Sequence, residues 1–403
     1  MTVQATYRLR TRALLITGVI DEDRLLQSAA EVLSALPVPG PGILVTAGRP
    51  PNDAGHATGA SGAADRRRAA GRTLAAGTGD PCVQAVRLSP DELVLAVSVD
   101  PRWLDARSVY LVLGAVMQAY FGRFRPTDYP SFERLSRDGR LPAGTPAPTR
   151  LSAWQRRLDR WPAGPCPGEG AGPRATARLT IGPDRWIRLN QVTHHSGNTG
   201  SIAVIALLSW WFRVRAPRPR TPVYASTLDL REYLGLGTAI GPLTDRIVFD
   251  VDESGLSGMT FAELVARTHA GLLDAVVRYV PFSRLPQPVL SPGGRVPWDV
   301  VVHYCRSPPS SARTRGEDSL ATRGMSIELF DEANLAAADL GHDPTASLEL
   351  DVTEDAEGIA ILMDADCRVL SAEQLQELAA DLDTMSGAVA HDPDIPMTRL
   401  ARR

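Results

Sequence analysis

Acid–base chemistry in this chain has to come from 46 carboxylates and 7 histidines, because none of the 403 residues is lysine and all 43 basic side chains are arginine. Without lysine there can be no Schiff base, no pyridoxal-phosphate anchor and no phosphate-loop GK[ST]. Sulfur chemistry has no motif either. Cys82, Cys166, Cys305 and Cys367 are scattered, with no CxxC pair, so zinc ribbons and thioredoxin-like redox are unsupported and reduced thiols in a cytoplasmic setting are expected. Gly235-Leu236-Gly237 is only a GxG, with Gly241 one place too late to complete a dinucleotide fingerprint. His194-His195 lies just before a helix start at Asn198/Thr199. Two adjacent residues on a turn do not converge on one site and no third ligand is suitably spaced, so no metal is expected. SLELDV offers more: strand alternation puts Ser347, Glu349 and Asp351 on one face and Leu348, Leu350 and Val352 on the other. The plain alternative is an edge strand whose acidic face meets solvent.

The elements that must position such groups are written in the hydrophobic pattern. A strand over Ala13–Gly18 leads to a helix capped by Asp21. Val83–Leu88 and Glu92–Val99 read as a hairpin, followed by a helix over Val109–Tyr120. Later come a buried helix from Asn198/Thr199 to Phe212, a strand Ile247–Val251, and a helix from its cap Thr260 to Val277. Strands Val300–Tyr304, Ser347–Val352 and Gly358–Met363 precede a helix capped by Ser371 and running through Leu382. Trp210-Trp211 is expected to pack in a core. Residues 141–173, rich in Pro and Gly, read as a linker between units 1–140 and 174–403, and residues 50–80 are low in hydrophobic content.

Composition narrows the function. With 44% hydrophobic residues, 22% charged residues and a net charge of −3, neither a nucleic-acid surface nor an anionic-membrane binder is indicated. The longest apolar run, Ile202–Phe212, is far short of the ~18 residues of a spanning helix. MTVQATYRLRTR has no signal-peptide core. The expectation is a cytoplasmic protein that binds neither nucleic acid nor membrane.

Four stretches carry a family likeness: LVLAVSVDPRWLDARSVYLVLGAVMQAY, LDLREYLGLGTAIGPLTDRIVFDVD, FAELVARTHAGLLDAVVRYVPFSRL and VPWDVVVHYC. In order and spacing, from about Tyr7 to the C-terminus, they resemble the condensation-domain superfamily of nonribosomal peptide synthetases. The resemblance implies an α/β fold of two chloramphenicol-acetyltransferase-like lobes in a V arrangement with a central tunnel. It also implies an acyl or peptidyl carrier protein as partner, with no tightly bound cofactor and the carrier's phosphopantetheine thioester as substrate arm. The family's catalytic HHxxxDG stands here as Asp100-Pro101-Arg102-Trp103-Leu104-Asp105-Ala106, and Pro101 replaces the proton-accepting histidine. By that likeness the usual opening helix is expected to be missing and Pro37–Gly42 to stand in place of the family's RHxxLR segment.

Heterocyclisation domains carry DxxxxDxxS instead, and Asp100, Asp105 and Ser108 are similar in all three positions. That likeness implies condensation, cyclisation or dehydration of carrier-bound thioesters, with Asp100 catalytic and Asp105 and Ser108 as a structural motif. Asp105 could pair with an arginine while Ser108 caps the helix. The acid–base groups of that branch align with His303 and, five residues after Pro344, Glu349; a one-residue slip would give Tyr304 and Asp351. A packed or surface imidazole is the other reading of His303. The alternative function is a non-catalytic docking module that recruits a carrier protein or a tailoring oxidase. An acyltransferase using free coenzyme A ranks last, because that chemistry also needs the missing histidine.

Overall fold

The computed structural model describes residues 10–36, 44–48, 65–67, 69–71, 74, 82–100, 103–138, 148–158, 173–194, 200–215, 222–252, 255, 258–281, 298–306, 324–330, 346–355 and 358–400. They form two compact units. One comprises Met1–Ala143, Asp229–Thr244 and Ala312–His342; the other comprises Gly144–Leu228, Asp245–Ser311 and Asp343–Arg403. Two stretches from the later part of the chain thus belong to the first unit.

The first unit is built on a five-stranded mixed sheet of order β2-β3-β4-β1-β9. Its strands are β1 (Arg10–Thr17), β2 (Leu44–Gly48), β3 (Cys82–Ser89), β4 (Glu92–Val99) and β9 (Ser326–Leu329). β3 and β4 form the expected antiparallel hairpin, and β1 pairs with β4 along its whole length, Arg10 opposite Val99 through Thr17 opposite Glu92. On one face lie helices α1 (Glu22–Ala35) and α2 (Ala106–Tyr120), which bury Leu25, Ala29, Val32, Val109, Val112 and Val116 against Leu14, Ile16, Leu93 and Leu95. On the other face Ala70, Leu74 and Phe330 cover Ala13, Leu15, Val94 and Ala96. Cover on both faces explains why β4 is apolar almost throughout instead of alternating. Of residues 50–80, those described are 65–67, 69–71 and 74, and two of them, Ala70 and Leu74, are core residues. Helix α3 (Phe132–Arg137) packs Leu135 against Leu236, Ala239 and Leu243.

The second unit carries helix α4 (Pro148–Leu158), which lies inside the stretch read as a linker and buries Trp154. Its six-stranded mixed sheet has the order β5-β11-β10-β8-β6-β7. The strands are β5 (Arg174–Ile181), β6 (Val223–Asp229), β7 (Thr244–Asp250), β8 (Val300–Arg306), β10 (Leu348–Asp355) and β11 (Gly358–Asp366). Helices α5 (Pro183–His194), α6 (Gly200–Val214), α8 (Phe261–Val277) and α9 (Ala372–His391) share one core with Val300, Val302, Leu348, Leu350 and Val352. Trp210 and Trp211 lie in that core as expected, their indole N–H groups donating to the Met397 carbonyl at 3.1 Å and to Asp381 Oδ2 at 2.9 Å. Thr260 and Ser371 cap α8 and α9 in full capping boxes with Glu263 and Gln374. Three short helices remain: a 3-10 turn (Pro126–Asp128) and α7 (Leu230–Leu234) in the first unit and α10 (Met397–Leu400) in the second. No described helix is long and apolar enough to cross a membrane.

Candidate active site

In the first unit the chain passes from β4 through Asp100 and Asp105 into α2. Asp100 is 6% exposed, and its carbonyl accepts the backbone N–H groups of Trp103 (2.9 Å) and Leu104 (3.3 Å). Pro101, the position given to the missing histidine, lies outside the described residues, as does Arg102. Asp105, not Ser108, caps the helix: its Oδ1 accepts the Ser108 N–H at 2.8 Å. The expectation that Ser108 is the cap is corrected here, because the carboxylate stands three residues earlier, where the first free helical N–H groups point.

The arginine that meets Asp105 is Arg231 of α7. Its two terminal nitrogens donate to Asp105 Oδ1 and Oδ2, each at 2.9 Å, in the bidentate geometry suited to guanidinium and carboxylate. Asp105 Oδ2 also accepts from Leu243 N at 2.8 Å and Thr244 Oγ1 at 3.0 Å. Ser108 Oγ donates to the Gly241 carbonyl at 2.8 Å and accepts the Gly241 N–H at 2.9 Å. Gly241 has φ +145, and a Cβ there would lie 2.4 Å from Phe132 Cβ, so only glycine fits. Both Asp105 oxygens are committed to donors of the same unit, an arrangement suited to holding a loop rather than moving a proton. The family likeness of LDLREYLGLGTAIGPLTDRIVFDVD pointed to an arginine in this stretch, and Asp105 was expected to meet an arginine, but the sequence did not link the two.

In the second unit His303 of β8 and Glu349 of β10 meet. His303 Nε2 is 2.8 Å from Glu349 Oε1, with 15% and 4% of the two side chains exposed. β10 is the third of six strands rather than an edge, so the reading of a solvent-facing acidic strand is corrected; Glu349 is 3% exposed. The alternation itself holds, with Leu348, Leu350 and Val352 in the helix-covered core. Glu349 and His303 share the opposite face with Val301, which belongs to a smaller apolar cluster of Val223, Ala225, Trp298 and Ala346. The slipped pair, Tyr304 and Asp351, lies on opposite faces: Tyr304 packs against the helix-covered core and its hydroxyl bonds Glu354, while Asp351 stands opposite His303 in the parallel register. The structure thus brings His303, Glu349 and Asp351 together. It adds Asp364 of β11, opposite Glu349 in register and paired with Arg174, which sequence reasoning missed.

His195 lies outside the described residues, as does Cys166. Cys82 and Cys367 are free thiols. Among the described residues no group of three or more His, Cys, Asp or Glu is arranged to hold a metal ion.

No family model and no curated protein matches the chain. Among solved structures it is similar to the tallysomycin biosynthesis protein TlmII, with 32% identity over 96% of this chain and 94% of that one and a TM-score of 0.72. It is similar in fold to the X-domain in its complex with OxyB from teicoplanin biosynthesis, at 17% identity, 99% and 92% coverage and a TM-score of 0.65. The first condensation domain of the calcium-dependent antibiotic synthetase, solved with a substrate analogue, matches at 14% identity, 98% and 93% coverage and a TM-score of 0.70.

Proposed function

Because the chain belongs to the condensation-domain superfamily of nonribosomal peptide synthetases, we propose that it acts in specialised-metabolite biosynthesis on aminoacyl or peptidyl thioesters tethered to a carrier protein. The reaction is condensation, cyclisation or dehydration performed without the usual HHxxxDG histidine. The observation that carries this reading is the buried contact of 2.8 Å between His303 Nε2 and Glu349 Oε1, an imidazole and a carboxylate within proton-transfer reach. Asp100, buried at the end of β4, is proposed as a further acid–base group. Asp105 and Ser108 hold the segment that follows it. The carrier's phosphopantetheine arm enters as substrate, and no resident cofactor is required.

The test mixes loaded carrier proteins with the protein and follows intact mass. Amide formation or loss of one water is expected, and His303→Ala or Glu349→Ala should slow it about 10²–10⁴-fold, the usual weight of a positioned acid–base group. Unchanged rates in both variants would remove the pair from the mechanism.

Pro101 favours a second reading, a non-catalytic docking module for a carrier protein or a tailoring oxidase, since a proline cannot accept or donate the catalytic proton. It predicts a complex on size exclusion with no turnover of any loaded carrier.

A further inference from the structure

The contact between His303 and Glu349 also says which ring nitrogen is free to react. An ionised carboxylate only accepts, so a bond of 2.8 Å from Nε2 to Glu349 Oε1 keeps the ring proton on Nε2. The other nitrogen, Nδ1, is buried and has no hydrogen-bond partner among the described residues. The reverse arrangement, with a protonated Glu349 donating to Nε2, would move the ring proton to Nδ1, where no described group accepts it. A buried donor left without an acceptor is unfavourable, so the hydrogen-bond geometry places the ring proton on Nε2 and the lone pair on Nδ1.

We infer that Glu349 is a positioning residue that locks His303 in the Nε2–H form, and that Nδ1 is the atom that takes a proton from an N–H, O–H or S–H group of the substrate. The inference rests on the acid–base reading above and assigns roles within it. In the step itself the X–H bond breaks, the proton goes to Nδ1, and the electron pair left on X forms the bond to the thioester carbonyl carbon while the C=O π pair moves to oxygen. The ring is then an imidazolium whose charge is met by the Glu349 carboxylate. Collapse of the adduct re-forms the C=O bond and breaks the C–S bond, and the departing carrier thiolate takes the proton back from Nδ1. Asp351, opposite His303 in register, and Asp364, opposite Glu349, add negative charge on the same face, against Arg174 bound to Asp364 and Arg178 one strand further on. This surrounding supports a ring that turns positive during reaction. Among the described residues no group holds Nδ1 by a hydrogen bond.

The test is two-bond proton–nitrogen NMR of the full-length protein labelled at its histidines, with the His303→Asn spectrum identifying the His303 signals. A single tautomer with the proton on Nε2 is expected. Glu349→Gln, whose amide oxygen still accepts, should retain it, and Glu349→Leu should give a mixture of tautomers. Adding a carrier protein loaded with a seryl or cysteinyl thioester should shift the Nδ1 resonance and leave Nε2 protonated. A proton on Nδ1 in the free protein, an unchanged tautomer in Glu349→Leu, or no Nδ1 shift with saturating loaded carrier would each overturn the assignment. These outcomes are separate from the function: loss of turnover in His303→Asn with the wrong tautomer sinks only the role of Nδ1. Full turnover in His303→Asn with the expected tautomer sinks the acid–base reading instead.

Discussion

A fully buried guanidinium is tolerable only where every N–H finds an acceptor, and Arg231 meets that condition. Its Nε donates to the Ala239 carbonyl at 2.6 Å, and its terminal nitrogens reach Asp105, Asp229 Oδ1 at 3.1 Å and Ser108 Oγ at 2.6 Å. Removing one side of such a pair strands the other charge. Asp105→Ala is therefore expected to destabilise the protein by about 3–5 kcal/mol, read as a lower urea midpoint. Asp105→Leu combined with Arg231→Met should recover much of that loss; a double variant no better than the single one would count against a charge-stranding cause. A second prediction concerns acid. Side-chain hydrogen bonds from Arg368 hold the Asp366 carboxyl below its ordinary 3.8. The stability from this pair is complete above that value and is lost as pH falls through the lowered one. Asp366→Asn should thus flatten the dependence of the urea midpoint on pH below about 4, leaving the profile above about 5 unchanged. Of these residues, Asp105 was legible from its spacing, whereas Arg231 lies 126 positions away and only packing could name it.

At the scale of elements, local chemistry and neighbour contacts separate cleanly at the glycines. Gly114 lies mid-helix in α2 with nothing near the place of its missing Cβ. Gly114→Ala should stabilise the protein by about 0.5–1 kcal/mol, by removing backbone freedom from the unfolded chain. Gly358 opens β11 at φ +119, and a Cβ there would lie 2.2 Å from the Ile181 carbonyl oxygen. Gly358→Ala should cost more than about 1 kcal/mol, and thermal unfolding should move the two variants in opposite directions. The elements with strong patterns or caps are the ones legible in sequence: β1, the β3–β4 hairpin, and the helices begun by Asp21, Thr260 and Ser371. β9 was not. Its four residues hold their place by pairing with Leu14–Thr17, some 310 positions away, a contact with no local signature. β5 was missed although its alternation is present, with Ala177, Leu179 and Ile181 buried; the proline- and glycine-rich stretch before it masked the period.

At the scale of the molecule, the first unit is not a contiguous piece of chain. Ile240 and Met325 contribute to its core, β9 covers the edge of β1, and Arg231 neutralises Asp105. A fragment ending at Ala143 lacks all four contributions. It is expected to give a poorly dispersed NMR spectrum and to aggregate through the bare β1 edge, while a monomeric, well-dispersed fragment would contradict this account of the unit. Family membership follows the same logic: individual motifs of this chain are short, whereas the likeness to a solved structure at 32% identity runs over 96% of the chain.

The amino-acid sequence alone determined the α/β class, the capped helices and the absence of lysine chemistry, because these depend on residue type and on periods of two to four residues. Only the tertiary structure decided that Asp105 closes on Arg231, that β10 is an interior strand, and that His303 and Glu349 are in contact. Those facts depend on which distant strands become neighbours, and strand order is set by the burial of whole faces rather than by any short run of residues.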